Sequence, residues 1–245
     1  MNTVILNVLC EGQTEEKFVK EVLKPYLNGF GIVVKSRLLA TSRKKNANGG
    51  MISYQQAKKD LSMWMKEVAH RSSETHYFTT MFDFYALPDD FPGMQQSKTI
   101  NDAYLAVETV ESAFGRDINS RSFIPYIQLH EFEALLFCDI EKLIIEYPKC
   151  SKEIENLENG LTKYDGNPEL VNSSPKTAPS KRIIAVIEGN HRYKYNKPRS
   201  GAVVTSAIGL PVLMQKCRHF REWIEKIQSI NNDSSTKAKC KETRL

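Results

Sequence analysis

The sequence predicts an α/β fold: an open, mostly parallel sheet with helices on both faces, followed by a mainly helical C-terminal part. Three observations carry this. Over the first ~130 residues, apolar runs of strand length alternate with stretches of helical period in the order β-α-β-α-β-α-β, joined by short links. The first run, residues 3–9 (TVILNVL), is apolar at nearly every position, as in a strand covered on both faces. From His130 onward the apolar spacing turns helical.

The elements follow in order. The first strand ends at Cys10-Glu11-Gly12-Gln13-Thr14, where Thr14 is placed to cap a helix with Glu15 and Glu16 in its first turn. Phe18, Val19, Val22, Leu23 and Leu27 give that helix an apolar stripe, and Pro25 kinks or shortens it. Residues 32–39 read as a second strand, 41–50 as a basic, glycine-ended loop, and 54–70 as a helix with Ala57, Leu61, Met65 and Val68 on one face. The aromatic, β-branched run 77–84 is a third strand, 100–114 a helix, and 123–129 a fourth strand whose Pro125 argues for an edge or end position. Beyond it, HEFEALLF and residues 139–147 read as helical, 161–179 as loop, 181–188 and 202–210 as short helices, and 213–227 as a helix carrying Trp223. This divides the chain into an α/β core (1–137), a helical extension packed on it (138–228) and a polar tail expected to be disordered (229–245).

Composition excludes several classes. The chain has 245 residues, 41% hydrophobic and 26% charged, which is ordinary for a globular protein and wrong for collagen-like or wholly disordered chains. A net charge of +5 permits a phosphate-bearing partner without demanding one. Five scattered cysteines with no CxxC argue against a disulfide scaffold or zinc ribbon and for a reducing cytoplasm. No segment reads as a membrane span, and the N-terminal run lacks the basic start of a signal peptide. P-loop, dinucleotide, GxSxG and HExxH motifs are all missing.

In open α/β sheets the ligand end is the carboxyl end of the strands. Glu11 follows strand one, Asp83 closes strand three, and His130, Glu131 and Glu133 follow strand four. If strands one, three and four are neighbours, these acids converge, and their repulsion calls for a cation. Oxygen ligands of this kind select Mg²⁺ or Mn²⁺, the usual device of phosphoryl transfer and phosphodiester cleavage. Glu15 and Glu16 read as solvated helix-start acids. Cations cluster at Arg43-Lys44-Lys45, at Lys176 with Lys181-Arg182, and in the segment from His191 to Arg199, where Tyr193 and Tyr195 interleave Lys194, Lys197 and Arg199. That interleaving suits stacked bases and phosphates, or equally a solvated loop. Ser180, placed to cap a helix ahead of Lys181 and Arg182, suggests a phosphate clamp.

VLCEGQTEEKF resembles the first TOPRIM motif, a glutamate and glycine after strand one, and TTMFDFYALPDDFPG resembles the strand-three aspartate motif. With FIPYIQLHEFEALLF, TAPSKRI and the closing GL…C.HF..W pattern, the set resembles a bacterial TOPRIM-like family known as domain of unknown function number four-two-seven-six, related to the nuclease part of OLD-type proteins. The resemblance implies a TOPRIM-like sheet, catalytic and metal roles for Glu11 and Asp83, and an ABC-type ATPase partner encoded nearby in phage defence. The second aspartate of the TOPRIM Asp-x-Asp is replaced by Tyr85, so Glu131, Glu133 or Asp90 would have to supply the missing ligand. The resulting expectation is a cytoplasmic, Mg²⁺- or Mn²⁺-dependent nuclease using Glu11, Asp83, Glu131 and Glu133. Lys181, Arg182, Lys194, Lys197 and Arg199 would hold DNA or RNA across a groove. The alternatives are a catalytically silent scaffold that binds nucleic acid or the ATPase, and phosphoryl transfer on a small nucleotide.

Overall fold

The chain is described here from a computed structural model over residues 2–40, 51, 53–159, 164–171, 177–189 and 193–242, with side chains up to residue 231. Its strands are β1 (Thr3–Cys10), β2 (Ile32–Leu38), β3 (Glu74–Asp83), β4 (Phe123–Ile124) and β5 (Ile127–Gln128). They form one sheet in the order β2-β1-β3-β4, with β5 also on β3, and every pairing is parallel. β1 and β3 are therefore neighbours, as the sequence requires if Glu11 is to meet Asp83. The single fourth strand expected over 123–129 is two short pieces, because Pro125 has no N–H to give the ladder.

The first helix is α1 (Gln13–Phe18), which passes through a π-helical turn (Val19–Leu23) into α2 (Lys24–Asn28). Pro25 cannot donate to the preceding turn, and the chain widens just before it: Lys24 N reaches back five residues to Val19 O. α3 (Tyr54–Val68) starts at Ser53, whose side chain accepts from Gln56 N, and α5 (Ala103–Ile118) starts at Asp102, which accepts from Leu105 N. Between them lies α4 (Met94–Ser97).

After β5 the segment expected to be α-helical is instead 3₁₀, over Phe132–Cys138 and Ile140–Ile145. All seven residues of the first stretch are buried, so there is no polar face to support an amphipathic α-helix, and packing sets the tighter turn. The rest is helical: α6 (Ser151–Asn159), α7 (Pro179–Glu188), α8 (Lys197–Ile208), α9 (Leu210–Lys216) and α10 (Arg218–Glu242). The one helix expected over 213–227 is thus two, broken at the extended Cys217. The backbone of α10 continues past residue 229, where the tail was expected to begin, as far as Glu242.

Alternation along β1 feeds two layers. Val4, Leu6 and Val8 join Phe18, Phe220, Trp223 and Ile224 on one face, and Leu9 joins Leu61, Trp64, Phe82, Val110 and Phe114 on the other. Trp223 stacks on Tyr126 at 4.0 Å and donates from Nε1 to Thr79 Oγ1 at 2.9 Å. The C-terminal helices therefore complete the core of the sheet. α8 approaches α1 closely at Gly201, where a Cβ would lie 2.8 Å from the Phe132 ring and 3.0 Å from Thr14 Cγ2. This contact carries Lys197, the first residue of α8, to the carboxyl edge of the sheet. Among the described residues no helix is long and apolar enough to cross a membrane.

Candidate functional site

β1 and β3 end side by side, and the chain beyond each turns at the same edge. Glu11 N donates to Met81 O at 3.1 Å, and Asp83 N donates to Glu11 Oε2 at 3.0 Å. Asp83 Oδ1 in turn accepts from Phe132 N at 2.9 Å, which joins β3 to the 3₁₀ segment after β5. The two acids that the sequence singles out are therefore adjacent, each tied through one oxygen to a backbone N–H.

Three more carboxylates join them. Gly12, extended at the head of α1, donates its N–H to Glu15 Oε2 at 2.8 Å, so Glu15 folds back toward the strand end. Its exposure is only 6%, and the expectation that it is solvated is corrected. The signal was the E-G-x-x-E spacing, which also suits any helix start. Glu133, 2% exposed, meets Lys197 Nζ at 3.1 Å. Glu131 accepts from both the N–H and the hydroxyl of Ser180.

Burial first, then the charges of Glu15, Glu11, Glu133 and Glu131, raises the Asp83 carboxyl well above its ordinary value. Burial likewise raises Glu11, against hydrogen bonds from Asp83 and Met51. Burial, reinforced by the charge of Glu11, pushes Glu15 up to about 7. Burial and the charge of Glu131 push Glu133 up to about 7, although Lys197 pulls the other way. Five acids thus share one edge and repel each other, with Lys197 answering part of the charge.

Three buried polar atoms at this edge have no hydrogen-bond partner among the described residues: His130 Nδ1, the Tyr195 hydroxyl and Glu133 Oε1, the last facing Lys197 as an ion pair. His130 holds the left-handed conformation (φ 62°) that non-glycine residues seldom adopt, and its ring lies 5.2 Å from that of Tyr85. Its pKa falls to about 4 through burial, so the ring is neutral near pH 7. Tyr195 feels the charges of Glu133 and Glu131. Tyr85, two residues beyond Asp83, is 41% exposed and feels Glu131. Asp90 accepts from Tyr54 N instead of joining the acids.

The cationic groove takes a different form from that expected. Ser180 does not cap α7; Ala178 occupies the cap, and Glu131 lies on the helix N-terminus where a phosphate was anticipated. Arg182 donates to Thr177 O and to the Tyr164 hydroxyl. Arg199 forms a bidentate pair with Glu146, and Tyr193 and Tyr195 pack against Tyr147. Lys181 and Lys194 are exposed. Arg43, Lys44, Lys45, Lys176, His191 and Arg192 lie outside the described residues. Among the described residues no group of three or more His, Cys, Asp or Glu side chains is arranged to hold a metal ion.

Compared with family models, residues 10–228 match the family described as domain of unknown function (DUF4276). No curated protein and no solved structure matches the chain.

Proposed function

This chain belongs to the DUF4276 family, and we propose that it is a divalent-cation-dependent phosphodiester hydrolase acting on nucleic acid, related to the TOPRIM nucleases. The observation that carries the reading is the Glu11–Asp83 pair at the carboxyl edge of β1 and β3, set among three further carboxylates with too little positive charge to balance them. A glutamate after the first strand, an aspartate closing the third, and these two strands adjacent in a parallel sheet all support the TOPRIM relationship.

The donor set fits one kind of metal site. A Mg²⁺ ion is commonly held by one or two carboxylates, waters and the phosphate of its substrate, and such an ion needs no three-residue cage. Glu11 and Asp83 would hold it, and when bound it supplies charge neutralisation and an activated water. The chain's own groups do the rest. Glu15, with a carboxyl near 7, is matched to proton transfer at neutral pH. Lys197 offers a cation to a phosphate oxygen, and the Tyr195 hydroxyl offers an unused donor. The family resemblance supports an ABC-type ATPase partner and a role in phage defence.

A silent scaffold is the second reading, favoured by Tyr85 in the place of the second aspartate. Cleavage of single- and double-stranded DNA and of RNA separates the two, measured with Mg²⁺ or Mn²⁺ and with and without the partner ATPase. Glu11→Gln and Asp83→Asn should each lower the rate by about 10²–10⁴-fold. Their melting temperatures should hold or rise, because one repelling charge is gone. Wild-type inactivity under every condition would favour the scaffold, and full activity in both variants would refute the assigned centre.

A further inference from the structure

A second feature lies one strand away from the acids. A cavity of about 350 Å³ opens at the outer edge of β2, lined by Lys20 and Lys24 from the first helix, Lys35 and Arg37 from β2, and Trp64 from α3. We propose that this cavity binds the phosphate backbone of a single-stranded nucleic acid and anchors it beside the acidic centre. The proposal rests on the hydrolase reading for its ligand, but not for its site.

Charge and topology carry it. β2 is the terminal strand of the sheet, so the cavity straddles an edge that no strand covers among the described residues. Four cations line it, and they come from both faces. Arg37 lies over the Trp64 ring, its Cζ 4.5 Å from the centroid, and is paired bidentately with Glu67, so it shapes the wall. Lys20 leans on Glu16 at 2.9 Å. Lys24 and Lys35 make no ion pair within 4.0 Å among the described residues, although the charge of Lys35 also acts on Glu74, so both ammonium groups can turn to a ligand. Lysines on an edge strand also discourage pairing with another chain. That role would account for Lys35 but makes no demand on Lys20 or Lys24, which sit on the helix.

The cavity is close enough to act with the acids. Arg37, at the upper end of the cavity wall, pairs in register with Leu9, two residues of β1 short of Glu11, and Lys35 pairs with Asn7, four residues short, roughly 13 Å of strand and within the span of a few nucleotides. A polyanion whose scissile phosphate sits at Glu11 and Asp83 would otherwise meet five carboxylates, and of the cations expected to hold it on the α7–α8 side Arg182 and Arg199 are engaged within the protein and Lys197 is shared with Glu133. The β2 edge supplies further positive charge on the opposite side of β1 from β3.

The test is binding of a labelled single-stranded oligonucleotide as a function of salt, with wild type, Lys24→Ala/Lys35→Ala and Glu11→Gln, alongside cleavage by the same three proteins. Lys24 is exposed and Lys35 half-buried, and a thermal melt confirms that the double variant folds. The double variant should bind at least tenfold more weakly, and its slope of log K against log salt should be shallower by about 1.4, the value for two lost contacts to a single strand. With the divalent ion chelated, Glu11→Gln should keep the lysine-dependent binding and its salt slope. Unchanged affinity and slope in the double variant overturn the anchor, while cleavage by wild type leaves the hydrolase reading standing. Lysine-dependent binding without cleavage in any protein, with either metal and with or without the partner ATPase, sustains the anchor and overturns the hydrolase reading instead.

Discussion

Glu15 shows how much one side chain's environment changes what its residue type implies. Its carboxyl lies buried beside Glu11, holding the Gly12 N–H, and titrates near 7 instead of near the ordinary 4.5. In the unfolded chain the same group releases its proton around 4.5. Between those values the native state binds more protons than the unfolded state, so stability falls as pH rises through that window. Glu15→Gln keeps an acceptor for Gly12 and removes the titration. Thermal melts between pH 4.5 and 7.5 should show a decline in wild type of on the order of 1–3 kcal/mol for this group, clearly reduced in the variant. Equal declines would place the titrating charge elsewhere. Glu11 and Asp83 were legible in the sequence because an acid at the end of an apolar strand is conspicuous. Glu15 was not, because an acid in the first turn of a helix is ordinary and its burial depends on α8 closing over α1.

At the scale of elements, the strand–helix alternation and the parallel order follow from the apolar periodicity, and local breakers explain where elements divide. Pro25 brings a π turn, and Pro125 splits the last strand. What the periodicity could not reveal are the anchors between distant elements. Glu169 is fully buried, accepting from His219 N and Phe220 N at the head of α10 and from the Tyr104 hydroxyl on α5. A carboxylate there satisfies the free N–H groups of the helix and its dipole together. From sequence alone Glu169 sits in a polar loop. Glu169→Ala should cost about 2–4 kcal/mol in urea unfolding, because three donors lose their acceptor in a dry site. Glu169→Gln should cost less. A loss under about 0.5 kcal/mol, the scale of ordinary surface changes, would mean that α10 is held by Trp223 and its neighbours alone.

Over the whole molecule, the net charge of +5 disguises how the charges are arranged. Cations grouped in sequence disperse in space: Lys197 goes to Glu133, Arg199 to Glu146 and Arg182 to Tyr164. Their partners lie far along the chain, so only the fold brings the pairs together. The cations of the β2 edge come from separate segments and made no cluster in the sequence. The helices beyond residue 137 pack on the sheet through a shared apolar layer, since one cluster runs from Val4 on β1 to Ile230 on α10. The acids at the edge of β1 and β3 are thus supported by nearly the full length of the chain.

The central claim is that Glu11 and Asp83 together receive a divalent ion in company with a phosphodiester. The most direct test is a Mn²⁺ titration followed by electron paramagnetic resonance, with a short single-stranded oligonucleotide present, on wild type, Glu11→Gln and Asp83→Asn. Wild type should bind Mn²⁺ more tightly with the oligonucleotide than without it, and each variant should lose at least tenfold in affinity, about 1.4 kcal/mol. Mn²⁺ binding that is the same in all three proteins, or absent from wild type with the oligonucleotide bound, would contradict the account.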